Sequence, residues 1–287
     1  MTAKIPAPAK INLFLETGVP QEGFHPLVSL IDIVDLCDII EICNSTTTSV
    51  SFYPEHDIPA ENTITKSIAF LKEEMGLAGN FSIKVFKNIP LGSGLGGGSS
   101  NAASVLKTLS GYCRFRPHMK RLLEISARIG KDVPLFIYGK RCIVKGFGEK
   151  ISEVLENKSL TYLLFIPDFP VSTKDVYRNL DRMGIKGNLT EAEGKIKIIL
   201  EAVKKSDIQF LEKHVQNMLS CSYFNLYPQA EEVKRHIEKE TGKKIFVSGS
   251  GGALFAIFAT KRDAEEKAIG LRIPGWKKFV ACSMETS

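Results

Sequence analysis

The residues best suited to chemistry lie in Pro90-Leu-Gly-Ser-Gly-Leu-Gly-Gly-Gly-Ser-Ser-Asn-Ala-Ala103, and the chemistry they suit is anion binding. Five of the first nine are glycine, so the backbone there carries few Cβ atoms and tolerates positive φ. Such a chain can turn successive N–H groups into one concavity. Two charged side chains stand out by their context. Lys10 belongs to a period-two run with Ile11, Leu13 and Leu15 on one face, and Phe14 continues the lysine's own face. Spacing alone allows an ordinary half-exposed edge strand. The apolar Phe14 and the stiff prolines upstream favour a covered face, where the ammonium needs a partner. Asp132, in Lys131-Asp-Val-Pro-Leu-Phe-Ile-Tyr-Gly139, sits where a helix N-cap belongs, with Pro134 in the first turn and Gly139 as the stop. A simple cap fits it, and so does a carboxylate held ionised and oriented by backbone N–H groups.

These groups need a scaffold, and the periodicity of the chain supplies one. Phe81-Ser-Ile-Lys-Val-Phe-Lys87 alternates and is rich in strand formers. After the glycines, 102–109 has helical period, with Ser99, Ser100 and Asn101 available as caps. A glycine loop that leads from strand to helix N-terminus combines free amides with the helix dipole, which is a phosphate site by geometry. Gly92, Gly94 and Gly97 match G-x-G-x-x-G, but the acidic residue of a dinucleotide fold, about 20 residues on, is missing. No lysine follows Gly97 or Gly98 as a Walker loop requires, and the protein-kinase motifs are absent.

Elsewhere, 39–43 reads as a strand that 46–52 continues as a hairpin, and Asn62 caps a helix through 71. Helices are expected over 118–129, from a Ser172/Asp175 capping box through 183, from a Thr190/Glu193 box, and over 207–219 and 228–241. Residues 160–166 read as a buried strand, and Phe246-Val-Ser-Gly-Ser-Gly-Gly-Ala-Leu-Phe255 as a tight hairpin. The 287 residues suffice for two ordinary domains, and the change in character near 150–160 suggests 1–155 and 156–287. A net charge of +6 in scattered pairs does not indicate nucleic acid, and no apolar run has the length of a membrane span. Six cysteines without paired spacing point to reduced thiols in the cytoplasm, and the five separated histidines show no metal-ligand spacing.

The loop Gly94-Leu-Gly-Gly-Gly-Ser-Ser-Asn-Ala-Ala103 resembles the glycine-rich motif of the GHMP kinases, Pro-x-x-x-Gly-Leu-Gly-Ser-Ser-Ala-Ala. Pro-Ala-Lys-Ile-Asn-Leu around Lys10 is similar to the family's first motif, and Gly130-Lys-Asp-Val-Pro-Leu-Phe to its Gly-x-Asp-Val-Pro-x-Phe. Residues 248–255 resemble the third motif, Ser-Gly-Thr-Gly-Ala-Cys-x-Phe, with departures at Ser250, Gly252 and Ala253. Gln21-Glu-Gly-Phe-His-Pro26 is similar to the Asp-Gly-Tyr-His of the branch that acts on a cytidine-diphosphate-linked methylerythritol. Asn217-Met-Leu departs from the family, which carries an acidic residue after this asparagine, and no contact is assigned to 217–219.

The resemblance implies an α+β, two-domain GHMP-kinase fold, with mixed sheet and helices in each domain and the active site in the cleft between them. It implies ATP-dependent phosphorylation of the 2-hydroxyl of that substrate, in the non-mevalonate route to isoprenoids. The alternatives are another GHMP kinase of mevalonate or homoserine type and a non-catalytic nucleotide-binding relative. By resemblance Lys10 and Asp132 are catalytic, the aspartate as base. Pro90, Leu91, Gly92, Ser93, Gly94, Leu95, Gly96, Gly97, Gly98, Ser99 and Ser100 hold ATP, with Asn62 and Lys87 near its adenine. Asn12, Phe24, His25 and Tyr177 bind substrate, and the rings of Phe24 and Tyr177 enclose cytosine, although core packing suits Tyr177 equally well. Mg²⁺ is expected on Ser99 or Ser100, with Ser100 preferred. The expected protein is cytoplasmic, a monomer or weak homodimer, and binds neither nucleic acid nor membrane.

Overall fold

The structure, a computed structural model, describes residues 2–154 and 158–284, so the expected boundary between 155 and 156 lies outside the described residues. The chain begins with strands β1 (Thr2–Thr17), β2 (Leu27–Ser45) and β3 (Ser49–Tyr53), helix α1 (Thr63–Met75) and strand β4 (Asn80–Phe86). Helices α2 (Gly97–Ser110), α3 (Met119–Ile129) and α4 (Val133–Tyr138) follow, then strands β5 (Cys142–Gly146), β6 (Lys150–Glu153) and β7 (Thr161–Pro167). Next come α5 (Thr173–Arg182), α6 (Leu189–Lys205), α7 (Ile208–His214), β8 (Gln216–Asn217), α8 (Ser220–Leu226) and α9 (Pro228–Thr241). Strands β9 (Phe246–Val247) and β10 (Leu254–Phe258), helix α10 (Lys261–Gly270) and strand β11 (Trp276–Cys282) complete the order. Two compact units interleave along the chain. One comprises Met1–Ala9, Cys37–Pro90 and Gly96–Lys140, the other Lys10–Leu36, Leu91–Leu95 and Arg141–Ser287. Both mix sheet and helix, in keeping with the α+β class.

In the first unit β4 lies between two partners. It runs antiparallel to the end of β2, Phe86–Asn80 against Ile39–Ser45, and parallel to β3. The hairpin expected over 46–52 therefore does not form. β4 takes that edge of β2, because its alternating Phe81, Ile83 and Val85 are all buried and make it the better central strand. Asn62 closes a capping box with Thr65 at the start of α1, and Gly76 ends the helix in the left-handed region. Ile64, Ile68, Leu71 and Met75 form its buried face, while the small Ser67 and Ala102 let α1 and α2 approach closely.

In the second unit the start of β2 pairs antiparallel with β5, and β5 with β6. The end of β1 pairs parallel with β8. A separate sheet has the order β11-β7-β10-β9, and its buried Leu163, Phe165, Leu254, Ala256 and Phe258 pack with Ile237 and Ile245. Three helix expectations need correction. Residues 207–219 are not one helix, because Gln216 and Asn217 leave it to pair with Phe14 and Leu15. Asn188 rather than Thr190 caps α6, and Glu193 is drawn away by Lys145. Ser172 caps α5, but its N–H donates to the Tyr227 hydroxyl instead of Asp175, so the box is half formed. Among the described residues no helix is long and apolar enough to cross a membrane.

A buried polar knot ties this unit together. Asp32 accepts from Arg141 Nε (3.1 Å) and Nη2 (2.8 Å), from the Tyr162 hydroxyl (2.6 Å) and from the Ser283 hydroxyl (2.6 Å). Burial, then the Asp32 charge, pushes the Tyr162 hydroxyl well above its usual range, so it stays a donor. Asp32→Ala would leave the Arg141 charge without this carboxylate, and we expect a loss of about 3–5 kcal/mol. Urea unfolding of the variant checks this.

Candidate active site

Lys10 lies in a part of β1 that is buried on both faces, since every residue from Ala9 through Thr17 is buried. The covered-face expectation holds, and Phe14 is fully buried. Lys10 Nζ donates to Asn12 Oδ1 at 2.6 Å, and Asn12 Nδ2 donates to Ser29 Oγ at 2.8 Å. Ser29 in turn donates to Phe14 O, and Ser248 Oγ accepts from Asn12 N at 3.2 Å. Asn12 thus orients the ammonium by a neutral bond while its own amide is held from behind.

The second glycine turn, 248–253, comes down on this cluster. A Cβ on Gly249 would stand 3.1 Å from Lys10 Nζ and 3.3 Å from Asn12 Oδ1. Across from it, the first glycine loop meets the same turn backbone to backbone. A Cβ on Gly94 would lie 2.6 Å from Gly251 O, one on Gly252 would lie 2.8 Å from Gly92 O, and Ala253 N donates to Ser93 O at 2.9 Å. Gly94 and Gly252 also have positive φ, 75° and 94°. The departure to glycine at 252 thus has a steric reason. Asn217, to which no contact was assigned, clamps the turn: Nδ2 donates to Val247 O (2.8 Å) and Gly249 O (2.6 Å), while Oδ1 accepts from Leu219 N.

In the other unit the chain passes from Gly96 into α2. The helix begins at Gly97, not near 102, so Ser99, Ser100 and Asn101 lie inside its first turns and do not cap it. The cap is Gly96, at φ 77°, with no side-chain bond to the first amides. Those amides are therefore left for an anion. No atom lies within 4 Å of a Cβ built on Gly98, so the approach to this turn is open. Ser100 Oγ is buried without a hydrogen-bond partner among the described residues. No group of three or more His, Cys, Asp or Glu that could hold a metal occurs among the described residues. A cation here would rely mainly on phosphate oxygens.

Asp132 occupies the cap position of α4 but makes no cap bond, contrary to the expected backbone-held carboxylate. Its φ and ψ, −90° and −5°, are helical rather than the extended values usual for a capping residue. It is exposed in its own unit. Asn62 is committed to its cap, with Oδ1 accepting from Ile64 N and Thr65 N and Nδ2 donating to Pro59 O. Lys87 pairs with the fully buried Asp38, a residue that sequence reasoning missed. Asp38 also accepts from Asn88 N and Ile89 N, both at 2.8 Å, and so pins the entry to the glycine loop. A Cβ on Gly97 would stand 3.1 Å from both Ile89 Cγ2 and the Lys87 ammonium.

Phe24 and His25 follow a primed turn, in which Glu22 and Gly23 have φ of 49° and 80° and Gln21 exchanges both backbone bonds with Phe24. Phe24 is 54% exposed. The His25 ring packs against Tyr177, with centroids 5.0 Å apart, and its Nε2 lies 2.7 Å from Asp181 Oδ1. The structure thus brings His25 and Tyr177 together and adds Asp181, which no motif signalled.

The glycine packing predicts unequal tolerance. Gly94→Ala combines positive φ with a backbone clash and should cost about 1–3 kcal/mol or more. Gly98→Ala, helical and unobstructed, should keep or gain about 0.5 kcal/mol. Thermal unfolding of the two variants separates the effects.

Residues 62–140 match the GHMP kinases N terminal domain and residues 199–272 the GHMP kinases C terminal model. A 4-diphosphocytidyl-2-C-methyl-D-erythritol kinase of Thermodesulfovibrio yellowstonii is 33% identical over 283 residues, covering 96% of each chain. One from Carboxydothermus hydrogenoformans is 32% identical, covering 96% of this chain and 94% of the relative. A crystal structure of 4-(cytidine 5'-diphospho)-2C-methyl-D-erythritol kinase superimposes with a TM-score of 0.82 at 28% identity, covering 98% of both chains. Two glycine turns, a buried lysine and family models at both ends lead to one conclusion: the chain belongs to the GHMP kinase family, alongside the 4-diphosphocytidyl-2-C-methyl-D-erythritol kinases.

Proposed function

We propose that this chain transfers the γ-phosphoryl group of ATP to the 2-hydroxyl of 4-diphosphocytidyl-2-C-methyl-D-erythritol, a step of non-mevalonate isoprenoid synthesis. The observation that carries the reading is the start of α2, whose first amides lack a side-chain cap and face open space at Gly98. The shared name of the relatives supports the choice of alcohol. In this reading 90–100 hold the triphosphate by backbone N–H groups and helix dipole. Ser100 would ligate Mg²⁺, which when bound neutralises charge on the β- and γ-phosphate oxygens.

Asp132, with no cap bond to satisfy, takes the hydroxyl proton, and Lys10, steered by Asn12, stabilises the developing alkoxide. A carboxylate is a weak base towards an alcohol. In a loose transition state the proton leaves late, so placement and charge matter more than basicity. Asn62 and Lys87, both already engaged within the protein, would offer adenine mainly a shaped surface. Phe24, His25 and Tyr177 form the base site. The six free cysteines suit a reducing, cytoplasmic setting.

Asp132→Asn and Lys10→Met should each lower kcat by at least about a hundredfold while ATP binding, followed by calorimetry, is kept. Loss of ATP binding with intact turnover of the bound complex would reverse the assigned roles. CDP should compete with the alcohol, which a mevalonate-type pocket would not show. Gly98→Ala should raise the KM for ATP roughly tenfold without loss of stability, because its methyl enters the space assigned to phosphate.

A further inference from the structure

Helix α5 constrains the His25 ring twice. Tyr177 and Asp181, one turn apart and therefore on the same face, reach it together: the Tyr177 ring lies 5.0 Å away, tilted by 42°, and Asp181 Oδ1 meets Nε2 at 2.7 Å. The imidazole is largely covered, with a side chain only 8% exposed. An ionised carboxylate can only accept hydrogen bonds, so the nitrogen that faces it carries the proton. A neutral imidazole has one N–H, and Nδ1 is then left with a lone pair. Among the described residues no hydrogen bond reaches Nδ1. A lone pair there suits the exocyclic amine of cytosine and opposes the carbonyl that uracil carries at the same position.

We propose that Asp181 is a positioning residue for base selection: it holds His25 in its Nε2–H form, so that Nδ1 accepts from a cytosine amine and disfavours uracil. The proposal rests on the reading of Phe24, His25 and Tyr177 as the base site. Asp181 is 44% exposed, and its substitution should leave the fold intact.

The test uses the full chain and its Asp181→Leu and Asp181→Glu variants. Nitrogen-15 spectra of the ligand-free protein report which His25 nitrogen is protonated. Steady-state rates are compared for the alcohol linked to CDP and to UDP. In the wild type Nε2 should be protonated and the cytidine form preferred. Asp181→Leu should mix the two tautomers and reduce that preference about tenfold, with the KM for ATP unchanged, and Asp181→Glu should restore both. A wild-type ring protonated at Nδ1, or at both nitrogens, overturns the proposal. So does a full preference in Asp181→Leu, which leaves the base site itself standing. A wild type indifferent to the two substrates, and not inhibited by CMP, overturns the base site and this proposal with it.

Discussion

Backbone meeting backbone without Cβ atoms is the constraint on which this site depends. Gly94 and Gly252, from turns more than 150 residues apart in sequence, sit against carbonyl oxygens that any side chain would strike. The Ala253 N–H to Ser93 O bond closes the contact. Glycine at such positions costs conformational entropy on folding, offset here by hydrogen bonds and close packing that no larger residue permits. A Cβ on Gly251 is likewise excluded, because the ring of Tyr223 lies where it would be. Burial keeps the Tyr223 hydroxyl protonated, so that ring is a packing surface without an added charge.

The charged groups of the site are handled by different means. Lys10 is buried, and its bond to the Asn12 amide oxygen helps to fix the direction of the ammonium. Lys87 is neutralised by Asp38, and the pair restrains the strand that feeds the glycine loop. A cation beside the first turn of α2 would oppose the helix dipole, and the buried carboxylate offsets that penalty. Asp132 is left out of any cap bond. The polar knot around Asp32 supplies cohesion within its own unit.

The region around His25 is ordered in a similar way. A strained turn, with Glu22 in the left-handed region, presents Phe24 to solvent and His25 inward. One face of α5 then receives the imidazole, while Val176 and Leu180 bury the helix against its own unit. The Phe24 ring is open to solvent and that of His25 is nearly covered.

Much of this was legible in the sequence. Local signals reported local physics: alternation marked β1, β4 and the end of β2, a buried apolar run marked β7, the Asn62 cap and the Gly130 and Gly139 stops held, and the glycine runs marked turns of positive φ. Motif order pointed to the family before any coordinates did. What the sequence could not express were choices among partners. Strand β3 joined β4 instead of folding onto β2, Gln216 and Asn217 left a helix for the edge of β1, and Asp38 and Asp181 took their places beside Lys87 and His25. Each depends on residues tens to hundreds of positions apart, where periodicity and capping rules have no reach, so only the packed tertiary structure decided them.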